Sequence, residues 1–156
     1  MQIIENLEAL SGWVGCEVAC SDWLTIDQPR IQRFAEATSD TQWIHVDPER
    51  ARRESPYKST IAHGYLTLSL IPILMQSCMR IDGIGMAINY GLDRVRLPAA
   101  VRVNERIRAR IVLDRIEPVT GGIQVFWSAT VEIENGDKPA CVAQMLVRYY
   151  PVSTAT

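Results

Sequence analysis

The stretch Ile61-Ala-His63-Gly64-Tyr-Leu-Thr-Leu-Ser-Leu-Ile-Pro72-Ile-Leu-Met-Gln-Ser-Cys78-Met79 carries no charged residue from Gly64 onward. A helix that sheds charge around its whole circumference is covered on several sides, so the stretch predicts a buried central helix. Pro72 interrupts the pattern. It fixes φ and removes one N–H, which predicts a kink, or a local arrangement at Leu68 and Ser69 that tolerates the lost bond. After the helix the apolar period changes from that of a helix to two. Alternation runs first through Met86 to Leu92, then through Val101, Val103, Ile107, Ile111 and Leu113. It resumes at Ile123, Val125, Trp127, Ala129, Val131 and Ile133 after the turn Thr120-Gly121-Gly122. Past Asn135-Gly136-Asp137 it returns at Cys141, Ala143, Met145, Val147 and Tyr149, which predicts an antiparallel meander of three long strands. A sheet with one apolar face and an apolar helix bury each other when the sheet curls around the helix, so the expected class is α+β.

Upstream of the helix, Val14, Cys16, Val18 and Cys20 alternate and predict an early strand over 13–20. A second helix is signalled by Asp27 as N-cap, by Pro29 in the first turn, and by Ile26 and Ile31 at the spacing of a hydrophobic staple. Ile31, Phe34 and Ala35 form its buried stripe, and it ends near Thr38 or Ser39. Asp40 to His45 then form a connecting loop before Asp47-Pro48 opens a short helix through about Arg53. The loop sets a carboxylate and an imidazole at an Asp-x4-His spacing. Such a pair can take a proton from water and return one to a substrate near neutral pH.

With 156 residues, the chain is long enough to bury one core without disulfides or a metal, and one domain over 1–156 is expected. Apolar residues make up 47% and charged residues 22%, and the net charge is -2, which makes nucleic acid a poor partner. Cys16, Cys20, Cys78 and Cys141 lack the CxxC pairing of a zinc site and read as reduced, mostly buried thiols. No basic head with an apolar stretch and cleavage site opens the chain, and no run approaches the roughly 18 apolar residues of a membrane span, so a cytoplasmic location off the membrane is expected.

The stretch Phe34-Ala-x-x-Thr-x-Asp40-x-x-x-Ile-His45-x-Asp-Pro, followed by Ile61-Ala-His63-Gly64, resembles the signature of the MaoC-like (R)-specific enoyl-CoA hydratases, also called hydratase 2. Asn89-Tyr90-Gly91-Leu92-Asp93-Arg94-Val95-Arg96 resembles the nodulation-protein-N-like subgroup, and the likeness runs from about residue 10 to 150. The resemblance implies a hot-dog domain, a curved antiparallel sheet wrapped around a long central helix. It implies catalysis by Asp40 and His45, with the Gly64 N–H receiving the thioester oxygen of an acyl-CoA substrate. It further implies no metal or other cofactor, and a homodimer with the ligand along the subunit interface. At the start of a helix Gly64 offers unpaired N–H groups and leaves room for close approach, which agrees on physical grounds. The chain departs from the family pattern at Ser39, at Gln42-Trp43, and at Pro72, where some relatives carry a supporting serine.

Several residues admit more than one role. Asp40 is otherwise a turn residue and His45 a satisfied imidazole. His63 either holds the loop through backbone hydrogen bonds or contacts substrate. Asn89, an amide in an apolar strand, either orients substrate or pairs with neighbouring backbone, and bulky Trp43 is expected to shape the acyl pocket. Arg94 and Arg96 share a face that meets either CoA phosphates or solvent. Trp23, Trp43 and Trp127 read as core or pocket wall. Beside the hydratase stand three rivals: a dehydratase acting on acyl-carrier-protein or branched acyl-CoA substrates, a hot-dog thioesterase, and a non-catalytic acyl-CoA binding module. The thioesterase is disfavoured because the central helix carries no carboxylate.

Overall fold

The computed structural model describes residues 1–152; the last residues of the expected domain span, 153–156, lie outside the described residues. In chain order the elements are β1 (Gln2–Ile4), a 3-10 turn (Ala9–Trp13), β2 (Glu17–Cys20), β3 (Leu24–Thr25), α1 (Gln28–Thr38), α2 (Trp43–Val46) and α3 (Pro48–Glu54). They continue with α4 (Gly64–Ser69), α5 (Ile71–Cys78), β4 (Met79–Ile81), β5 (Ile84–Arg96), β6 (Arg106–Val119), β7 (Gly122–Ile133) and β8 (Cys141–Pro151). The main sheet runs β2-β6-β7-β8-β5, with β3 also on β6, and all its pairings are antiparallel. Register shifts in β5/β8 and β6/β7 mark bulges, which bend strands and raise their twist, and so help the sheet curl. Its concave face meets α4 and α5. There Ile107, Ala109, Ile111 and Leu113 of β6, the odd positions Val125 to Val131 of β7, and Cys141 and Ala143 of β8 are fully buried with Ile71 and Leu74. A small parallel pair, β1 with β4, closes one end.

Helix α1 forms as its signals predict. Asp27 accepts from Arg30 N–H at 2.9 Å, Pro29 lies in the first turn, Ile26 and Ile31 are buried, and Ser39 ends the helix at φ 60°. Asp47 likewise caps α3 through Arg50 N–H at 2.9 Å.

Three expectations need correction, and the interruption of the central helix falls near Pro72, where a kink or a local accommodation is expected. Only Glu17–Cys20 of the stretch 13–20 is strand, because Gly15 takes φ +81° and its N–H joins Leu113 C=O at 2.7 Å, leaving Val14 and Cys16 exposed. The alternation at 101–113 is broken by a turn with Asn104 at φ +67°, so β6 begins at Arg106. The central helix is two segments. Leu70 separates α4 from α5, with Pro72 in the first turn of α5, and bonds from Leu70 N–H to Leu66 C=O and from Leu74 N–H to Leu70 C=O keep the two nearly continuous. That axis is also open on one side. Tyr65, Ser69, Ile73 and Gln76 are exposed, uncharged yet uncovered within one copy of the chain.

Candidate active site

Asp40 lies between α1 and α2, where the positive φ of Ser39 turns the chain. His45 does not sit in a loop as expected: residues 43–46 form a helical turn, with Asp47 N–H bonded to Trp43 C=O at 3.0 Å. His63 ends the segment 60–62, which runs beside 101–103 through Val103 N–H to Thr60 C=O and Ala62 N–H to Val101 C=O. Three separate stretches therefore converge. Nitrogen atoms of His45 and His63 and a carboxylate oxygen of Asp40 all lie within 4.8 Å of one another.

His45 is buried, and its Nδ1 lies 2.7 Å from Ile61 C=O. A carbonyl only accepts, so Nδ1 carries the proton and Nε2 keeps its lone pair for a substrate or water. The same Ile61 donates its N–H to Ile44 C=O at 3.0 Å, so one residue fixes both the turn and the ring. Gln28 adds a third tie: its Nε2 donates to His45 C=O at 2.8 Å while its Oε1 accepts from Thr60 Oγ1. Burial pulls the His45 imidazole below its ordinary 6.5; the Ile61 bond opposes this, a charged His63 would add to it, and Asp40 opposes it. The ring is thus a neutral base near pH 7. The Asp40 side chain, by contrast, is 54% exposed, with Oδ2 3.9 Å from His63 Nε2.

His63 stacks on His45, ring centroids 3.7 Å apart and planes at 23°, and meets Phe34 at 5.0 Å with the planes tilted by 53°. Its Nε2 is 3.0 Å from Asp40 C=O, so it does hold the loop through backbone. One nitrogen of each ring is thus already engaged with a backbone carbonyl. Gly64 follows His63 and opens α4. The first bond into that helix runs from Thr67 N–H to His63 C=O at 3.2 Å, so the N–H groups of Gly64, Tyr65 and Leu66 precede it. A Cβ on Gly64 would collide with the Leu97 side chain.

Further along the helix, beginning at Leu68 rather than at Gly64, runs a groove. A cavity of about 350 Å³ is lined by Leu68, Pro72, Asn89, Leu92 and Met145, among others. A second, of about 450 Å³, shares Pro72, Asn89 and Met145 and continues past Met75 and Met79 to Val147 and Tyr149. Asn89 is therefore groove wall on β5, and Pro72 lines the same groove. Trp43 lines neither cavity. Its ring is covered by the Arg50 guanidinium at 4.5 Å, on the α3 side. Trp127 is core, while Arg94 and Arg96 are exposed. Cys78 and Cys141 are buried, and burial pushes their thiols up, Cys141 to about 11, so neither is a nucleophile near neutrality; Cys16 is exposed and Cys20 half-buried.

The roles of Gln28, Thr60 and the Ile61 carbonyl had no sequence signal, since each acts across a long separation or through backbone. The covering of Gly64 by Leu97 was equally silent.

Comparison with known proteins shows the family of the chain and the likeness of its fold. Residues 11–135 match the MaoC like domain. The chain is 47% identical over 150 residues to 3-hydroxyacyl-thioester dehydratase Z of Mycobacterium tuberculosis, covering 96% of this chain and 99% of that one. It is 45% identical over 143 residues to nodulation protein N of Rhizobium meliloti, covering 90% and 89%. Among solved structures, the R-hydratase PhaJ1 of Pseudomonas aeruginosa superposes with a TM-score of 0.72 at 20% identity, over 92% of this chain and 88% of that one, a likeness of the hot-dog fold.

Proposed function

The chain belongs to the MaoC-like dehydratase family, and from that premise we propose that it is a hydro-lyase, an (R)-specific enoyl-CoA hydratase that reversibly converts trans-2-enoyl-CoA to (R)-3-hydroxyacyl-CoA. The observation that carries the reading is the convergence of Asp40, His45 and His63 within 4.8 Å, with His45 Nε2 left free by the Nδ1 bond to Ile61, next to the opening of α4. One water held by the two groups gives up a proton as its oxygen bonds to C3. The negative charge that develops on the thioester oxygen is met by Gly64 N–H, and C2 takes up a proton from the pair, so one water is added in all. A single oxyanion donor is worth on the order of 10²–10³ in rate. The acid-base pair supplies on the order of 10²–10⁴. No metal or redox cofactor takes part.

The acyl chain occupies the apolar groove, with Asn89 on its wall, while Trp43 and His63 line neither cavity and are left outside those contacts. Residues 1–156 act as one MaoC-like domain in the cytoplasm; among the described residues no helix is long and apolar enough to cross a membrane. The working unit is a homodimer. Strand β5 has a partner on one side only, so its free edge is open to a second copy, which also covers the exposed Tyr65 and Ile73 of the helix. Ile73→Lys places a charge in that interface; light scattering is expected to find dimers in wild type and monomers in the variant, and a wild-type monomer refutes this arrangement.

The name of the 47% identical relative, a 3-hydroxyacyl-thioester dehydratase, favours a second reading, dehydration of a 3-hydroxyacyl thioester with the carrier left open, using the same site. A panel of enoyl and 3-hydroxyacyl thioesters on CoA and on acyl-carrier protein tests both readings. Turnover of the (R)-hydroxy isomer but not the (S), faster on CoA, supports the hydratase; preference for the carrier protein supports the alternative. Binding without turnover on either carrier refutes both.

A further inference from the structure

We infer that His63 is a positioning residue for the acid-base pair: as a neutral Nε2–H tautomer it anchors Asp40 through its backbone and backs the ring of His45. The inference rests on the proposed roles of Asp40 and His45, and adds a third residue that touches neither water nor substrate.

Both tautomers follow from what the rings face. His63 Nε2 is 3.0 Å from a carbonyl oxygen, which cannot donate, so Nε2 carries the hydrogen. Its Nδ1 is buried with no partner among the described residues, and a proton there would be a buried donor without an acceptor. His63 thus has its hydrogen on Nε2, and His45 has its own on Nδ1 toward Ile61. The two stacked rings carry opposite tautomers, and of the four nitrogens only His45 Nε2 offers a lone pair to the site.

The stack explains the placement of the pair. His63 meets both His45, stacked at 3.7 Å, and Phe34, tilted at 5.0 Å, and Phe34 belongs to the helix that ends just before Asp40. His63 therefore grips Asp40 from two directions, by the hydrogen bond to its carbonyl and by packing on α1. It also covers one face of the His45 ring, being itself only 3% exposed. A carboxylate as open to solvent as that of Asp40 has little side-chain packing to fix it, so its backbone must be held.

Two substitutions separate the grip from the backing. His63→Gln keeps an N–H near the Nε2 position and loses the ring; His63→Phe keeps the ring and loses the donor. The expected result is that His63→Phe loses about 10²-fold in kcat with KM little changed, the scale of a small misplacement of a catalytic group, while His63→Gln recovers at least a tenth of wild-type kcat. Thermal unfolding reports whether each variant folds. Because His45 and His63 are the chain's two histidines, nitrogen NMR of the imidazoles reads the tautomers directly and independently of turnover. His63 as Nε2–H and His45 as Nδ1–H at neutral pH support the inference, even if no enoyl thioester is turned over and the proposed reaction fails. His63 found as Nδ1–H or as a cation, or a folded His63→Phe with wild-type kcat, overturns it.

Discussion

Gln28→Leu is the substitution that most fully exposes how the fold holds the site. Gln28 is the first residue of α1, yet its amide bridges two elements: it donates to His45 C=O at 2.8 Å and accepts from Thr60 Oγ1. His45 and Thr60 are both buried, Thr60 only 1% exposed, so loss of the amide leaves an unpaired carbonyl and an unpaired hydroxyl with little access to water. Each such orphan costs about 1–3 kcal/mol. The leucine recovers about 1 kcal/mol by burying apolar surface, which leaves a net loss of about 1–5 kcal/mol. For a chain of this length each kcal/mol moves the melting temperature by about 2–4 °C, so a fall of roughly 2–20 °C is expected by calorimetry. Gln28→Glu retains the acceptor for Thr60 but turns a carboxylate toward the His45 carbonyl, so it also destabilises the fold. Both variants lower kcat/KM by about tenfold or more, since the turn that carries His45 is released. A change below about 0.5 kcal/mol in Gln28→Leu, the range of an unremarkable surface substitution, refutes the reasoning.

Two further outcomes follow from the same geometry. The unfolded chain protonates His45 near 6.5 while burial in the fold resists the proton, so on acidification the unfolded state binds more protons and stability falls below about pH 6.5, levelling off beneath the lower folded value. Urea unfolding from about pH 8 to pH 5 measures the slope, and His45→Gln removes this contribution; an unchanged slope in that variant contradicts the assignment. Gly64→Ala sets a methyl against the flexible Leu97 side chain and beside the proposed oxyanion donor, while improving helix propensity by up to about 1 kcal/mol. It is expected to lose about 10²-fold in kcat/KM without losing thermal stability, and a loss of fold rather than activity counts against the donor role.

What was legible in the sequence is what is local. Asp27 caps α1, Asp47 caps α3, and the odd-position alternation of β7 and β8 survives because each strand has one face against the helix. Asp40, His45 and His63 could be singled out by type and spacing, and the fold does bring them together. The readings that failed are those where a local pattern had a second cause. Val14 and Cys16 alternate with the later strand residues by coincidence, ahead of a glycine with positive φ. The uncharged circumference of α4 and α5 was read as burial, but Tyr65, Ser69, Ile73 and Gln76 form an uncharged exposed stripe. Periodicity cannot distinguish a face buried within the chain from one left open on its surface. The Ile61 carbonyl and the Gln28 amide act at separations of 16 and 17 residues from His45, where neither spacing nor composition carries information.

The most direct test of the central claim is the hydration rate of crotonyl-CoA by wild type beside Asp40→Asn and His45→Gln, with chiral analysis of the product. Predicted are (R)-3-hydroxybutyryl-CoA from wild type and a fall of about 10²-fold or more in kcat for each folded variant. If either variant retains near wild-type kcat, the acid-base pair is not Asp40 and His45, and the account is contradicted at its centre.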